Sequence, residues 1–413
     1  MEMADELMQL RLGSWTAWAG DRSSWPVTTP GAAAVEWAID VHREFFGDGL
    51  LGRMLDDGPP HPFVDPLRWP LSSVHAIVEL LSRACALRVI PRDVGLAIAG
   101  STTTADVNRR VTSDLHVLEV AGLAVRHGWS IDYEAALSTG RRPDLRLVLG
   151  NSDIRVEVTS SGPDRQRLAA EALSGSLVPA LMMIGVQHEV EISGSAASSE
   201  VDGDDLARLV REVEAAASES AASGEVRTLA AHGVELSIRP GGSGLGSFDG
   251  PPLTGDMWPR LKNRLRTKAA QTEGAGAAWI CVQDRSGLFQ LTDLAGVDEH
   301  EQLRRLAENV SFALRDARHV AGVLLSTGVR IDAGEDDHDT ILADDDGRLA
   351  GSRVLRRRLP GGRCRRTFVV RLRNGPAADD GPMHWFRREG SWLDWALAAA
   401  GLPTVESIFG SGQ

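Results

Sequence analysis

The chain has 413 residues, enough for two or three domains with ample core. Its 44 basic residues stand against 57 acidic ones, a net charge of −13, so no global field draws it to nucleic acid and any such contact needs a local patch. Cys85, Cys281 and Cys364 are far apart, odd in number and without metal-ligand spacing, and no stretch approaches about 18 apolar residues; reduced thiols in a soluble, cytoplasmic protein without a leader or membrane span are expected.

Residues 1–104 read as a helical region. Val35, Ile39 and Phe46 follow Pro30 at helical spacing, Ser72 or Ser73 is placed to cap a helix through Leu81, and Pro91 and Gly100 bracket another. Tryptophans at 15, 18, 25, 37 and 69 lack the interleaved basic residues of a nucleotide-stacking platform, so they are expected to fill a helical core. A strong helix then runs from about 105 to Gly128. It is apolar almost all round, which makes Glu119 a notable occupant; the carboxylate either pairs with a neighbour such as Arg126 or serves a site. His116, one turn earlier, reads as structural.

After a strand over Trp129–Tyr133 come two runs with period-2 alternation, Arg142–Gly150 and Ile154–Thr159, joined by a turn cluster: a β-hairpin. On its second strand Ile154, Val156 and Val158 share one face, and Arg155, Glu157 and Thr159 the other. Asp144 opens the first strand. The hairpin therefore brings two carboxylates to one sheet edge, an arrangement suited to a hard divalent cation.

Pro143-Asp144 at the start of one strand and Glu157-Val158-Thr159 on the next resemble the signature of the PD-(D/E)XK, restriction-endonuclease-like nucleases, with Thr159 where the family has lysine. The resemblance spans about residues 105–327. It implies an α/β restriction-endonuclease-like core, a mixed β-sheet flanked by helices, that hydrolyses DNA with Mg²⁺ or Mn²⁺. Asp144 and Glu157 would be the metal ligands, with Glu119 from the preceding helix as a further one. RNA as substrate, a homodimer and a partner protein all stay open.

From about 160 to 256 the chain makes an insertion with helices near 164–174 and Asp205–Ala217 and strands His188–Ile192 and Val234–Ile238. The loop Gly241–Gly246 lacks a following helix and a Gly-Lys-Ser/Thr ending, so it reads as a flexible linker or lid rather than a phosphate cradle.

Of the 44 basic residues two are lysines, Lys262 and Lys268, both in the next helix, Met257–Thr272. Leu261, Leu265, Lys268 and Thr272 fall on one stripe, so Lys268 faces inward and needs a negative partner, unless it snorkels to solvent. Asp144 and Glu157 are the candidates. The family resemblance implies that a lysine moved from strand to helix acts here, with Gln271 beside it. A strand Ala278–Val282, a helix His300–Ala317 and a strand Val320–Leu325 complete the core.

Residues 328–413 form a C-terminal appendage. Its acidic run, 335–339 and 344–346, reads as a solvated loop. Arg353, Arg356, Arg357, Arg358, Arg363, Arg365, Arg366, Arg371 and Arg373 crowd the following stretch, and either neutralise phosphates or pair with that acidic run. A capped helix, Ser391–Ala400, ends the chain. The alternative to a nuclease is a nuclease-like scaffold without chemistry that binds nucleic acid or protein; the distance from Lys268 to the two carboxylates discriminates.

Overall fold

The structure, a computed structural model, describes residues 13–56, 71–100, 107–161, 165–197, 201–242, 244–250, 257–284, 299–331, 341–342, 349–359, 363–372 and 392–410. The acidic run, Arg373 and Trp69 lie outside them. The chain divides into two compact units, residues 1–161 with 261–413, and residues 162–260.

The first unit is an α/β structure. Its helices α1 (Trp15–Ala19), α2 (Thr29–Phe46), α3 (Leu50–Asp56), α4 (Val74–Val89), α5 (Arg92–Gly100) and α6 (Val107–Arg126) precede β1 (Ser130–Tyr133), β2 (Leu145–Leu149) and β3 (Ser152–Ser161). Local chemistry sets several boundaries: Thr28 and Ser73 accept backbone N–H groups of Gly31 and Ala76, and Gly128, at φ +85°, turns the chain out of α6. Trp15, Trp18 and Trp25 are buried in the helical core and Trp37 packs against it, as their spacing without cations predicts.

The helix α9 (Met257–Gln271), which the unit boundary crosses, leads to β8 (Ala278–Asp284), α10 (Glu299–Ala313) and β9 (Val320–Ile331). The remaining strands are β10 (Ile341–Leu342), β11 (Leu349–Leu359) and β12 (Arg363–Leu372). The sheet order is β1-β2-β3-β8-β9-β12-β11-β10. Pairing is antiparallel through β1, β2 and β3, parallel through β3, β8 and β9, and antiparallel from β9 to β12, β11 and β10.

The alternation read in β3 decides the layers. Ile154, Val156 and Val158 share one apolar core with α6 and the N-terminal helices, while Leu261, Leu265 and Ala269 of α9 pack with Ile280, Val282 and α10 on the other face. The segment expected as a separate appendage is instead part of this unit. Alternating residues in 349–372 make strands that extend the sheet, and α11 (Trp392–Ala399) and α12 (Val405–Phe409) join the N-terminal core, with Thr28 donating its N–H to the Ile408 carbonyl at 2.8 Å.

The second unit has α7 (Arg165–His188) and α8 (Gly203–Ser223) with a sheet ordered β5 (Arg227–Ala231), β6 (Val234–Pro240), β4 (Val190–Ala196) and β7 (Gly244–Asp249). Two expectations change. α7 continues through Pro179, because burying Leu177, Leu181 and Ile184, at about 1.5–3 kcal/mol each, outweighs the proline penalty of about 3 kcal/mol. The glycine loop is half strand: β7 pairs in parallel with β4, and a Cβ at Gly185 of α7 would come within 2.5 Å of the Gly244 carbonyl oxygen, so glycine permits that approach.

Candidate active site

Asp144 lies one residue before β2, whose pairing with β3 begins at Leu145 opposite Val156. The Val158 N–H is therefore beyond the last β2 carbonyl, and Asp144 Oδ2 accepts it at 2.7 Å. That bond holds the first carboxylate against β3 beside Glu157. Glu157 is on the α9 face of β3 and is 1% exposed, so a charge there needs compensation.

The compensation comes from α9. Lys268 Nζ donates to Glu157 Oε2 at 2.6 Å and to Asp144 Oδ2 at 3.5 Å. The inward lysine thus meets both hairpin carboxylates, and the snorkelling alternative falls away. Lys268 and Asp144 keep 19% and 24% of their side-chain surface open, so the cluster is reached from solvent on their side.

Burial, reinforced by the Asp144 charge, pushes the Glu157 carboxyl up to about 8 against the opposing pull of Lys268. Burial acts to lower Lys268, but Asp144 and Glu157 outweigh it and raise its pKa. Lys268 thus bridges the two carboxyl groups, with Glu157 the nearer partner. Cys281, buried on β8, is raised by burial and then by the Asp144 charge. Tyr133, the one tyrosine in the chain, is raised by burial and by Glu134, Asp114 and Asp144.

Thr159 stands at the position of the family's lysine, 5% exposed, and its Oγ1 accepts from Arg264 Nη1 at 2.9 Å. The same guanidinium nitrogen donates to the Ser160 carbonyl at 2.5 Å. Arg264 was not singled out by sequence reasoning. Its signal was there: it precedes Lys268 by four residues, so both lie on one side of α9.

Other expected residues are not gathered into this cluster. Glu119 belongs to α6, in the helical layer on the opposite sheet face, and its Oε2 is 3.6 Å from His116 Nδ1. Among the described residues no group of three or more His, Cys, Asp or Glu side chains is arranged to hold a metal ion, so Glu119 does not complete one with Asp144 and Glu157. Gln271 closes α9 with its side chain exposed. Arg356, Arg357 and Arg358 lie on β11, and Arg365 and Arg366 on β12. Lys262, the other lysine, sits over the Phe312 ring of α10, 5.1 Å from its centroid.

Among the described residues no helix is long and apolar enough to cross a membrane. No protein-family model, curated protein or solved structure matches the chain.

Proposed function

We propose that the chain is a metal-dependent nuclease of the PD-(D/E)XK kind that hydrolyses phosphodiester bonds of DNA. The observation that carries this reading is the lysine of α9 meeting Asp144 and Glu157 from 124 and 111 residues away in sequence. The order α6–β1–β2–β3, then α9–β8, with β3 parallel to β8, supports a restriction-endonuclease-like core.

The residues fit Mg²⁺ or Mn²⁺. Asp144 and Glu157 offer hard carboxylate oxygens, and two protein ligands suffice for an ion that keeps much of its water shell. With Glu157 ionised the three groups would carry one net negative charge. Burial and the Asp144 charge raise the proton affinity of Glu157, so an ion bound there would have to displace that proton. Such an ion, when bound, lowers the pKa of a water and draws charge off the scissile phosphate.

The chain's own residues do the rest. Val158 N–H orients the Asp144 carboxylate, and Arg264 secures the end of β3. Lys268, partly open to solvent, presents ammonium protons to the attacking water or to the phosphoryl oxygen as its charge grows. Gln271, exposed one turn on, contacts the bound phosphate or its water.

One observation favours a second reading, a scaffold without chemistry that binds nucleic acid or protein: Lys268 already satisfies both carboxylates within the chain, and Thr159 is engaged by Arg264. Cleavage of plasmid and linear DNA with Mg²⁺ or Mn²⁺ decides. Cutting by the wild type that is lost in Asp144→Ala, Glu157→Ala and Lys268→Ala supports the nuclease. Binding without cutting of DNA or RNA supports the scaffold.

A further inference from the structure

We infer that the outer ridge of α9 and α10 seats a nucleic-acid backbone, with Lys262, Arg266 and Arg315, gathered at the exposed Phe312 ring, holding its phosphates. The contacts of α9 divide its side chains between two flanks. Leu261, Leu265 and Ala269 are buried in the core shared with α10. On one side of that stripe Arg264 and Lys268 reach β3, where they donate to Thr159 and Glu157. On the other side, at about 100° per residue of helix, Lys262 and Arg266 reach α10. Lys262 Nζ is 5.1 Å from the Phe312 ring centroid, and Arg266 Nε donates to the Ala313 carbonyl at 3.3 Å.

Phe312 accounts for the gathering. The residue is 41% exposed and draws a second cation, with Arg315 Cζ 5.0 Å from the same centroid. The ring attracts each cation while the cations repel each other, since they lie at most about 10 Å apart, comparable with the Debye length. Among the described residues Lys262 and Arg266 form no salt bridge. Arg315 meets Asp316 at 3.3 Å, but the two side chains are 56% and 89% exposed, and such a pair is weak. From Leu261 to Gln271, α9 has no acidic residue. In a chain of net charge −13 this is a local concentration of cation. Phosphate oxygens between Lys262 and Arg315 relieve their repulsion, and the backbone releases its own counterions in exchange.

The same patch is continuous with the candidate active site. Asn263, Thr267 and Ala270, exposed and uncharged, form the ridge between the two flanks of α9. A strand crossing from Lys268 to Arg266 spans about one helix diameter, about 10 Å, or about three base pairs at about 3.4 Å each. No acidic side chain of α9 stands in that path. The inference rests on the nuclease reading only for what happens to the strand once it is bound.

The test is binding of a fluorescein-labelled DNA duplex of about 30 base pairs, followed by anisotropy in EDTA across a salt series. Lys262→Gln/Arg266→Gln is expected to weaken binding at least about tenfold and to reduce the slope of log K against log salt by about 2, close to one per lost phosphate contact. Lys262→Arg/Arg266→Lys keeps both charges and is expected to retain affinity and slope. No binding by the wild type, a neutral pair that binds like the wild type, or a charge-keeping pair as weak as the neutral one would each overturn the seat. If this binding pattern holds but nothing is cut with Mg²⁺ or Mn²⁺, the seat stands and the nuclease reading alone fails.

Discussion

The Lys268 ammonium lies 2.6 Å from the Glu157 carboxyl although 111 residues separate them. Asp144, 3.5 Å away, shares the same ammonium. Removing it in Lys268→Ala leaves Asp144 without its cation, at a cost of about 2 kcal/mol for a charged hydrogen bond. Urea unfolding at pH 7 measures it. An unchanged midpoint would mean that the ion pair adds nothing to the fold.

Glu157 makes stability depend on pH in a particular direction. Its carboxyl sits at about 8 in the folded chain, above the ordinary value of 4.5. The folded state thus holds this proton more tightly, and the contribution is full below about 4.5 and is lost as pH rises through about 8. Glu157→Gln should flatten that slope. Mn²⁺ affinity, read by electron paramagnetic resonance, should rise with pH over the same window in the wild type, because ion and proton compete for one carboxyl.

His42 acts in the opposite sense. It is buried in the N-terminal helical core, with Nδ1 2.8 Å from the Ala38 carbonyl, and burial pushes it down to about 4. Its contribution is present above about 6.5 and is lost as pH falls towards 4, by up to about 3 kcal/mol. Between pH 4.5 and 6.5 the two slopes oppose each other. Acid unfolding of Glu157→Gln should therefore expose the His42 transition more sharply than in the wild type.

Moving the lysine back tests the role of Thr159. Thr159→Lys alone crowds a second ammonium against Arg264 and Lys268 in a site with 5% exposure and should destabilise by about 1–3 kcal/mol. Thr159→Lys/Lys268→Thr should recover part of the cleavage missing from Lys268→Ala. Equal inactivity of the swap and the single variant would tie the function to the helix position itself.

Gly322 of β9 tests the sheet beneath the site. A Cβ there would lie 2.5 Å from the buried Trp279 ring and 2.7 Å from the Val370 carbonyl oxygen. Neither neighbour yields, because the ring is fully buried and the carbonyl is backbone. Gly322→Ala should lower stability by about 1–3 kcal/mol, seen as a lower thermal midpoint.

Local pattern was sufficient for the hairpin, for the alternation of β3 that separates Val156 from Glu157, and for the inward stripe of α9 that carries Lys268. Each depends on the side-chain period of one element, which a sequence displays directly. The sequence alone also indicated that the tryptophans fill a core, since they lack cations between them. Tertiary structure decided what depends on pairing between distant segments. It decided that Lys268 reaches Asp144 and Glu157 at once, that Arg264 occupies Thr159, and that α6 with Glu119 covers the other face of the sheet. It also decided that the arginine strands extend the same sheet and put Arg356 opposite Arg366. No local period encodes strand order or register between segments two hundred residues apart; these emerge when the whole chain buries its apolar faces together.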